Sequence, residues 1–185
     1  MKFLSYDSEQ KQESETEIRN VELETIHLFV QTWVPDFLFR SLRDPRFPYH
    51  LFQWEEIIRF SFWAPDTWQC YGAFTGTRLD GLLCLGIGED KLKVEYLATA
   101  PWNYSDVGKM RGIGSGLIYF TVINSIDRHH QGELWLDATP DSEGFYKKIG
   151  MIATGNVNDS GLKEYAMSKN EANSFLEKFK KHVTK

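Results

Sequence analysis

The sequence predicts one mixed α/β domain, and three observations carry that expectation. A chain of 185 residues fits the usual domain of ~100–200 residues. With 42% hydrophobic and 25% charged residues, it has the makeup of a globule and not of a disordered chain. Residues 92–137 read strand, helix, strand, the crossover that a parallel pair requires, and antiparallel strands precede them. No internal repeat or second domain is visible, so residues 18–185 are expected to form the whole domain.

Residues 1–17 carry Asp7, Glu9, Glu13, Glu15 and Glu17 among Ser and Gln, with few apolar anchors. They read as a flexible, solvated lead-in. From Phe29 to Tyr71 come 13 of the chain's 27 aromatic residues, a core composition that also suits a small-molecule pocket. Within it, Trp54, Ile57, Ile58 and Phe62 recur at helical spacing, predicting a helix that ends before Pro65. Residues 69–75 and 81–87, joined by the turn residues 76–80, predict a hairpin. Residues 92–100 alternate. Leu92, Val94, Tyr96 and Ala98 point one way and Lys93, Glu95, Leu97 and Thr99 the other, and Pro101 ends the strand.

After a connection that includes residues 102–110, residues 112–130 have the length and apolar content of a helix packed on a sheet. Gln131 and Gly132 form its stop, and Arg128, His129 and His130 stand in its last turn. A strand over 133–137, a short helix over 143–148 ended by Gly150, and strands near 151–156 and 164–168 follow. A final amphipathic helix starts from Asn170 as N-cap, with Ala172, Phe175, Leu176, Phe179 and Val183 as its stripe.

Composition narrows the function. The formal charge of −5 argues against a nucleic-acid coat protein. Two cysteines, Cys70 and Cys84, in no CxxC pairing suit a reducing compartment. The first residues hold no apolar signal core, and no uncharged apolar run reaches membrane-spanning length. A cytoplasmic protein with no membrane partner and no metal is expected.

The chemistry concentrates in Arg111-Gly112-Ile113-Gly114-Ser115-Gly116 at the start of the long helix. Glycines bare the backbone, the helix terminus offers unpaired N–H groups, and Arg111 adds a charge, which together suit a pyrophosphate. Two nucleotide motifs fail here. A P-loop needs Lys-Ser/Thr where Leu117 and Ile118 stand, and a dinucleotide fingerprint needs GxGxxG directly after a strand.

Arg111-x-x-Gly114-x-Gly116, preceded by Glu95-Tyr96-Leu97-Ala98-Thr99-Ala100-Pro101, resembles the acyl-CoA-binding motif of the GNAT superfamily, the Gcn5-related N-acetyltransferases. Downstream and in order, Leu134-Trp135-Leu136-Asp137 resembles the family's fifth strand. Phe145-Tyr146-Lys147-Lys148-Ile149-Gly150-Met151 resembles its FYxxxGF segment. The resemblance covers about half the chain. It implies a mostly antiparallel sheet whose central parallel pair, the strands at 92–100 and 133–137, splays apart between flanking helices.

The resemblance also implies a site and a reaction. Backbone groups of Leu97 and Thr99 would meet the pantetheine arm of acetyl-CoA, and an N–H at Ala98 or Thr99 would polarise the thioester carbonyl. Arg111, Gly112, Ile113, Gly114, Ser115 and Gly116 would hold its pyrophosphate. The implied reaction is direct acetyl transfer to a primary amine, on a small molecule or a protein. Making a lysine-like amine nucleophilic at pH 7 costs about 4.6 kcal/mol, so a base is needed. Glu95, Asp137 and an ordered-water route are the candidates, and Tyr146 is the candidate acid for the departing thiolate. The longer connection over 102–110 departs from the family, as do Thr139, Pro140, Asp141 and Ser142 where many members carry an asparagine. Two other readings stay open: a GNAT-fold module that binds acyl-CoA without turnover, and a toxin-like acetyltransferase acting on aminoacyl-tRNA. A homodimer is a further expectation.

Overall fold

The computed structural model describes residues 1–42, 53–89, 91–103 and 110–184. The aromatic residues Phe47, Tyr49 and Phe52, and most of the connection over 102–110, lie outside them.

Residues 1–17 are not a lead-in. Strand β1 (Lys2–Asp7) and strand β2 (Gln12–Asn20) form an antiparallel hairpin. Glu13, Glu15 and Glu17 form the wetter face of a period-2 strand, while Phe3, Ser5, Asp7, Thr16 and Ile18 on the other face of the hairpin are buried. Thr16 links Ser5 to Thr75 through hydroxyls at 2.7 and 2.9 Å, and Asp7 closes the turn by accepting from the N–H groups of Glu9 and Gln10.

Helices α1 (Leu23–Leu28) and α2 (Val34–Ser41) are joined by a π-helical turn, and α3 (Trp54–Trp63) follows. On α3 the buried positions are Trp54, Ile57, Ile58 and Ser61. Phe62 is 45% exposed, because two helical turns from residue 54 lead to 61 and not to 62. Strands β3 (Trp68–Thr75), β4 (Arg78–Ile87) and β5 (Leu92–Thr99) form an antiparallel meander. Next come the short β6 (Met110–Arg111), helix α4 (Ile113–Asp127), strand β7 (Leu134–Ala138) and helix α5 (Glu143–Ile149). Strands β8 (Ile152–Val157) and β9 (Lys163–Met167) and helix α6 (Lys169–Phe179) complete the chain. The cap of α6 is Ser168, in a capping box with Glu171. Asn170, the expected cap, lies inside the helix and donates its N–H to Ser168.

Among the described residues one nine-stranded sheet results, in the order β6-β1-β2-β3-β4-β5-β7-β9-β8, in which only β5 and β7 run parallel. Each face carries a core. Leu83, Leu85, Leu117, Ile118, Leu134 and Phe175 belong to the face under α4 and α6. Trp33, Phe37, Ile58, Leu82 and Cys84 belong to the face under α1–α3. Strand β5 changes sides. Opposite β4 its register slips by one at Glu95, since Cys84 faces Tyr96 and Leu85 faces Val94. This bulge leaves Leu92 and Val94 in the α4 core and turns Ala98 into the other. Tyr96 packs on Trp54 and Trp68. The simple alternation expected along 92–100 therefore breaks in the middle of the strand.

Glu143, at the start of α5, ties that helix to β9. It accepts from Lys163 at 3.0 Å, the Tyr165 hydroxyl at 3.0 Å and Lys147 at 3.3 Å. Those bonds, Lys163's first, bring its pKa from 4.5 to about 2. A depressed carboxyl contributes stability that is complete above its unfolded pKa and lost as pH falls through the folded one. Part of the acid destabilisation between pH 4.5 and 2 is therefore expected to vanish in Glu143→Gln, and denaturant unfolding followed across that range checks it.

Candidate functional site

The parallel pair parts after three residues. Leu92, Lys93 and Val94 lie opposite Leu134, Trp135 and Leu136, and there the pairing of β5 with β7 ends. Beyond that point β5 stays paired to β4 on its other side through Thr99. Ala100 donates to the Asp80 carbonyl of β4. By strand alternation Ala98 also turns its main-chain groups toward β4, whereas Leu97 and Thr99 turn theirs into the gap. Of the three residues expected along this edge, Leu97 and Thr99 offer main-chain groups to the gap, and Ala98 does not.

The glycine turn lies at the N-terminus of α4. Gly112 is its N-cap with φ +91°, a conformation that suits glycine, and no side chain caps the helix from that position. The first turn therefore presents the N–H groups of Ile113, Gly114 and Ser115 without a helical acceptor. Gly116 differs from the expectation. Its N–H donates to the Gly112 carbonyl at 2.8 Å, and a Cβ there would lie 2.4 Å from the Phe3 ring. That glycine lets α4 pack on β1, and its N–H is already engaged within the helix. Ile113 likewise buries its side chain in the core and has only its N–H to offer.

A cleft of about 460 Å³ opens at this terminus. Arg111, Gly112, Gly114 and Ser115 form one wall, Phe145, Lys148 and Ile149 of α5 another, and Phe175, Lys178, Phe179 and His182 of the C-terminal segment the third. Phe145 reaches to 3.3 Å from the place of a Gly114 Cβ, so the two halves of the sequence motif meet here. The His182 ring packs on Phe179 at 5.4 Å. Arg111, Lys148 and Lys178 give the cleft a positive rim inside an acidic chain. Residues 175–182 escape sequence reasoning, because only the packing of α6 beside α4 brings them to the glycine turn.

Tyr146 is buried in the α4-side core, where it packs on Phe145 and Tyr165. Glu95 and Asp137 lie on the opposite face, and one ammonium joins them: Lys93 Nζ stands 2.9 Å from Glu95 and 3.5 Å from Asp137. Burial opposes the Lys93 charge, but the bond and charge of Glu95, then of Asp137, outweigh it and raise its pKa. The Glu95 carboxylate lies across β4 over Gly86, where any Cβ would sit 2.7 Å from it. The two base candidates thus meet at the vertex of the gap, and the acid candidate lies on the other side of the sheet. In place of the family's asparagine, the hydroxyls of Thr139 and Ser142 hydrogen-bond each other before α5.

No protein-family model and no curated protein matches the sequence. Solved structures do match the fold. PaiA N-acetyltransferase from Thermoplasma acidophilum, in complex with coenzyme A, superposes with a TM-score of 0.57 at 17% identity over 83% of this chain and 98% of that one. Spermidine N-acetyltransferase from Vibrio cholerae, in complex with CoA and spermine, gives 0.59 at 13% identity over 85% and 98%. A GNAT family acetyltransferase from Brucella melitensis, in complex with acetyl-CoA, gives 0.55 at 14% identity over 83% and 87%. Together with the parted parallel pair and the glycine turn at the helix it precedes, these likenesses establish that the chain has the GNAT fold.

Proposed function

We propose that this protein is an acyl-CoA-dependent N-acyltransferase that moves an acetyl group from acetyl-CoA to a primary amine. One observation carries the reading: an open strand edge, left where β5 and β7 part, and an uncapped helix N-terminus belong to the same β5–α4–β7 crossover. That combination suits a ligand whose amide-bearing arm pairs like a strand and whose diphosphate needs bare N–H groups.

Acetyl-CoA supplies the acyl group as a thioester. Leu97 and Thr99 bind the arm along the gap, and the Thr99 N–H stabilises charge developing on the carbonyl oxygen. The amides of Ile113, Gly114 and Ser115 grip the diphosphate with Arg111 at the rim. Lys148, Lys178 and His182 face the remaining phosphate, and Phe179 offers its ring to the base. The amine enters from the face that carries Glu95, Asp137 and Tyr96. Glu95 or Asp137 takes its proton, and Tyr146 returns one to the departing sulfur from the other side.

A binding module without turnover is the competing reading, favoured by the commitment of both carboxylates to Lys93. Tyr146→Phe separates the two. With a panel of primary amines and free-thiol release as the readout, the wild type is expected to turn over, and the variant to lose ~10²–10⁴-fold in kcat while keeping its affinity for CoA. Absence of thiol release with every amine, beside intact CoA binding, would leave the module reading standing.

A further inference from the structure

The two cysteines, separated by 13 residues in the sequence, face each other across the β3–β4 hairpin as direct register partners. Both are free and buried, at 5% and 0% exposure, on the face under α3. Their main chains point apart. The Cys70 carbonyl accepts from Val21 of β2, and the Ile87 N–H donates to the Thr67 carbonyl, two bonds that make 70 and 84 a non-hydrogen-bonded pair of the β3–β4 ladder. Cα atoms in such a pair stand about 4.5 Å apart, inside the ~4.4–6.8 Å that a disulfide spans. Bridging therefore needs rotation of two side chains and no shift of either strand.

We propose that Cys70 and Cys84 form a reversible dithiol–disulfide pair, oxidised by hydroperoxides and restored by dithiol reductants. The order of events follows from exposure. Cys70 keeps 5% of its surface open and Cys84 none, so the hydroperoxide meets Cys70 first. The neighbouring Cys84 thiol, with Ser61, also lowers the pKa of Cys70 against its burial, while that of Cys84 is raised. Cys70 is thus the sulfur that attacks. Its thiolate takes the distal oxygen of the hydroperoxide, the O–O bond breaks and an alcohol leaves (water, from hydrogen peroxide). Cys70 becomes a sulfenic acid. The Cys84 sulfur then attacks the Cys70 sulfur, the S–OH bond breaks, and hydroxide leaves as water with the Cys84 proton. Two thiols are oxidised and one hydroperoxide is reduced. The bond also draws the Cys70 sulfur from the Ile57 carbonyl of α3, its contact at 3.9 Å.

The test reads thiols and is independent of the transferase reading. The folded full chain is exposed to hydrogen peroxide, denatured, alkylated and weighed, with a sample denatured before exposure as the control. Expected is an intramolecular bond: the mass falls by two hydrogens, neither cysteine alkylates, peptide mapping joins residues 70 and 84, and dithiothreitol restores both thiols. Cys84→Ala is expected to leave a dimedone-reactive sulfenic acid on Cys70, and Cys70→Ala none on Cys84. Full alkylation of both thiols in the folded wild type, under exposure that oxidises the denatured control, overturns the proposal. So does a disulfide between two chains in place of the internal one.

Discussion

Ser115→Asp is expected to raise the thermal midpoint slightly and to weaken acetyl-CoA binding at least ~tenfold, which corresponds to about 1.4 kcal/mol. Ser115 stands in the first turn of α4, three residues after Gly112, and lines the cleft. A carboxylate in that turn faces the positive end of the helix and supplies the acceptor that a glycine cap lacks, a gain of ~0.3–1 kcal/mol. The same charge occupies the place proposed for the diphosphate and repels it. Stability and affinity therefore move in opposite directions, which excludes general damage as the cause of lost binding. Differential scanning calorimetry and isothermal titration on one preparation read both. Unchanged affinity would remove the diphosphate from this turn.

Gly116→Ala is expected to destabilise the protein by about 1–3 kcal/mol or more. On propensity alone the change favours the fold, because alanine in a helix is worth ~1 kcal/mol over glycine. The collision decides the sign. The new Cβ lies 2.4–2.7 Å from three atoms of the Phe3 ring, and that ring is fully buried and packs on Phe179. Relief requires α4 to lift from β1. Denaturant unfolding measures the loss, and a second substitution, Phe3→Leu, is expected to recover part of it by vacating the contested space. A neutral or stabilising Gly116→Ala would show that α4 does not sit against β1 as described.

The glycine turn illustrates what the sequence makes legible and what it hides. Gly112, Gly114 and Gly116 look alike as a motif, yet the first serves a left-handed φ, the second a close approach by Phe145, and the third the contact with Phe3. Local pattern locates such a turn. Only tertiary packing assigns each glycine its reason. The same limit explains residues 1–17, where alternating acids outnumber the apolar anchors and the decisive partners, Thr75 and Arg111, lie far along the chain. It explains Glu95 as well. An extra residue in β5 becomes visible only against the register of β4, and it places Glu95 and Asp137 around one lysine. By contrast the βαβ unit and the hairpin at 68–87 follow from alternation and turn residues, and the helix at 113–127 from the length and apolar content of its segment, because these signals are local. His182 lines the cleft only because α6 packs beside α4.

In the proposed reaction, bare main-chain amides at 113–115 and the open edge of β5 hold coenzyme A. Titration of the ¹⁵N-labelled protein with CoA, followed amide by amide, tests it most directly. The N–H signals of Leu97, Thr99, Ile113, Gly114 and Ser115 are expected to move together and saturate at one affinity, while Gly116, already bonded to Gly112, moves least. Saturable binding that leaves those five signals in place, or no binding at millimolar CoA, contradicts it.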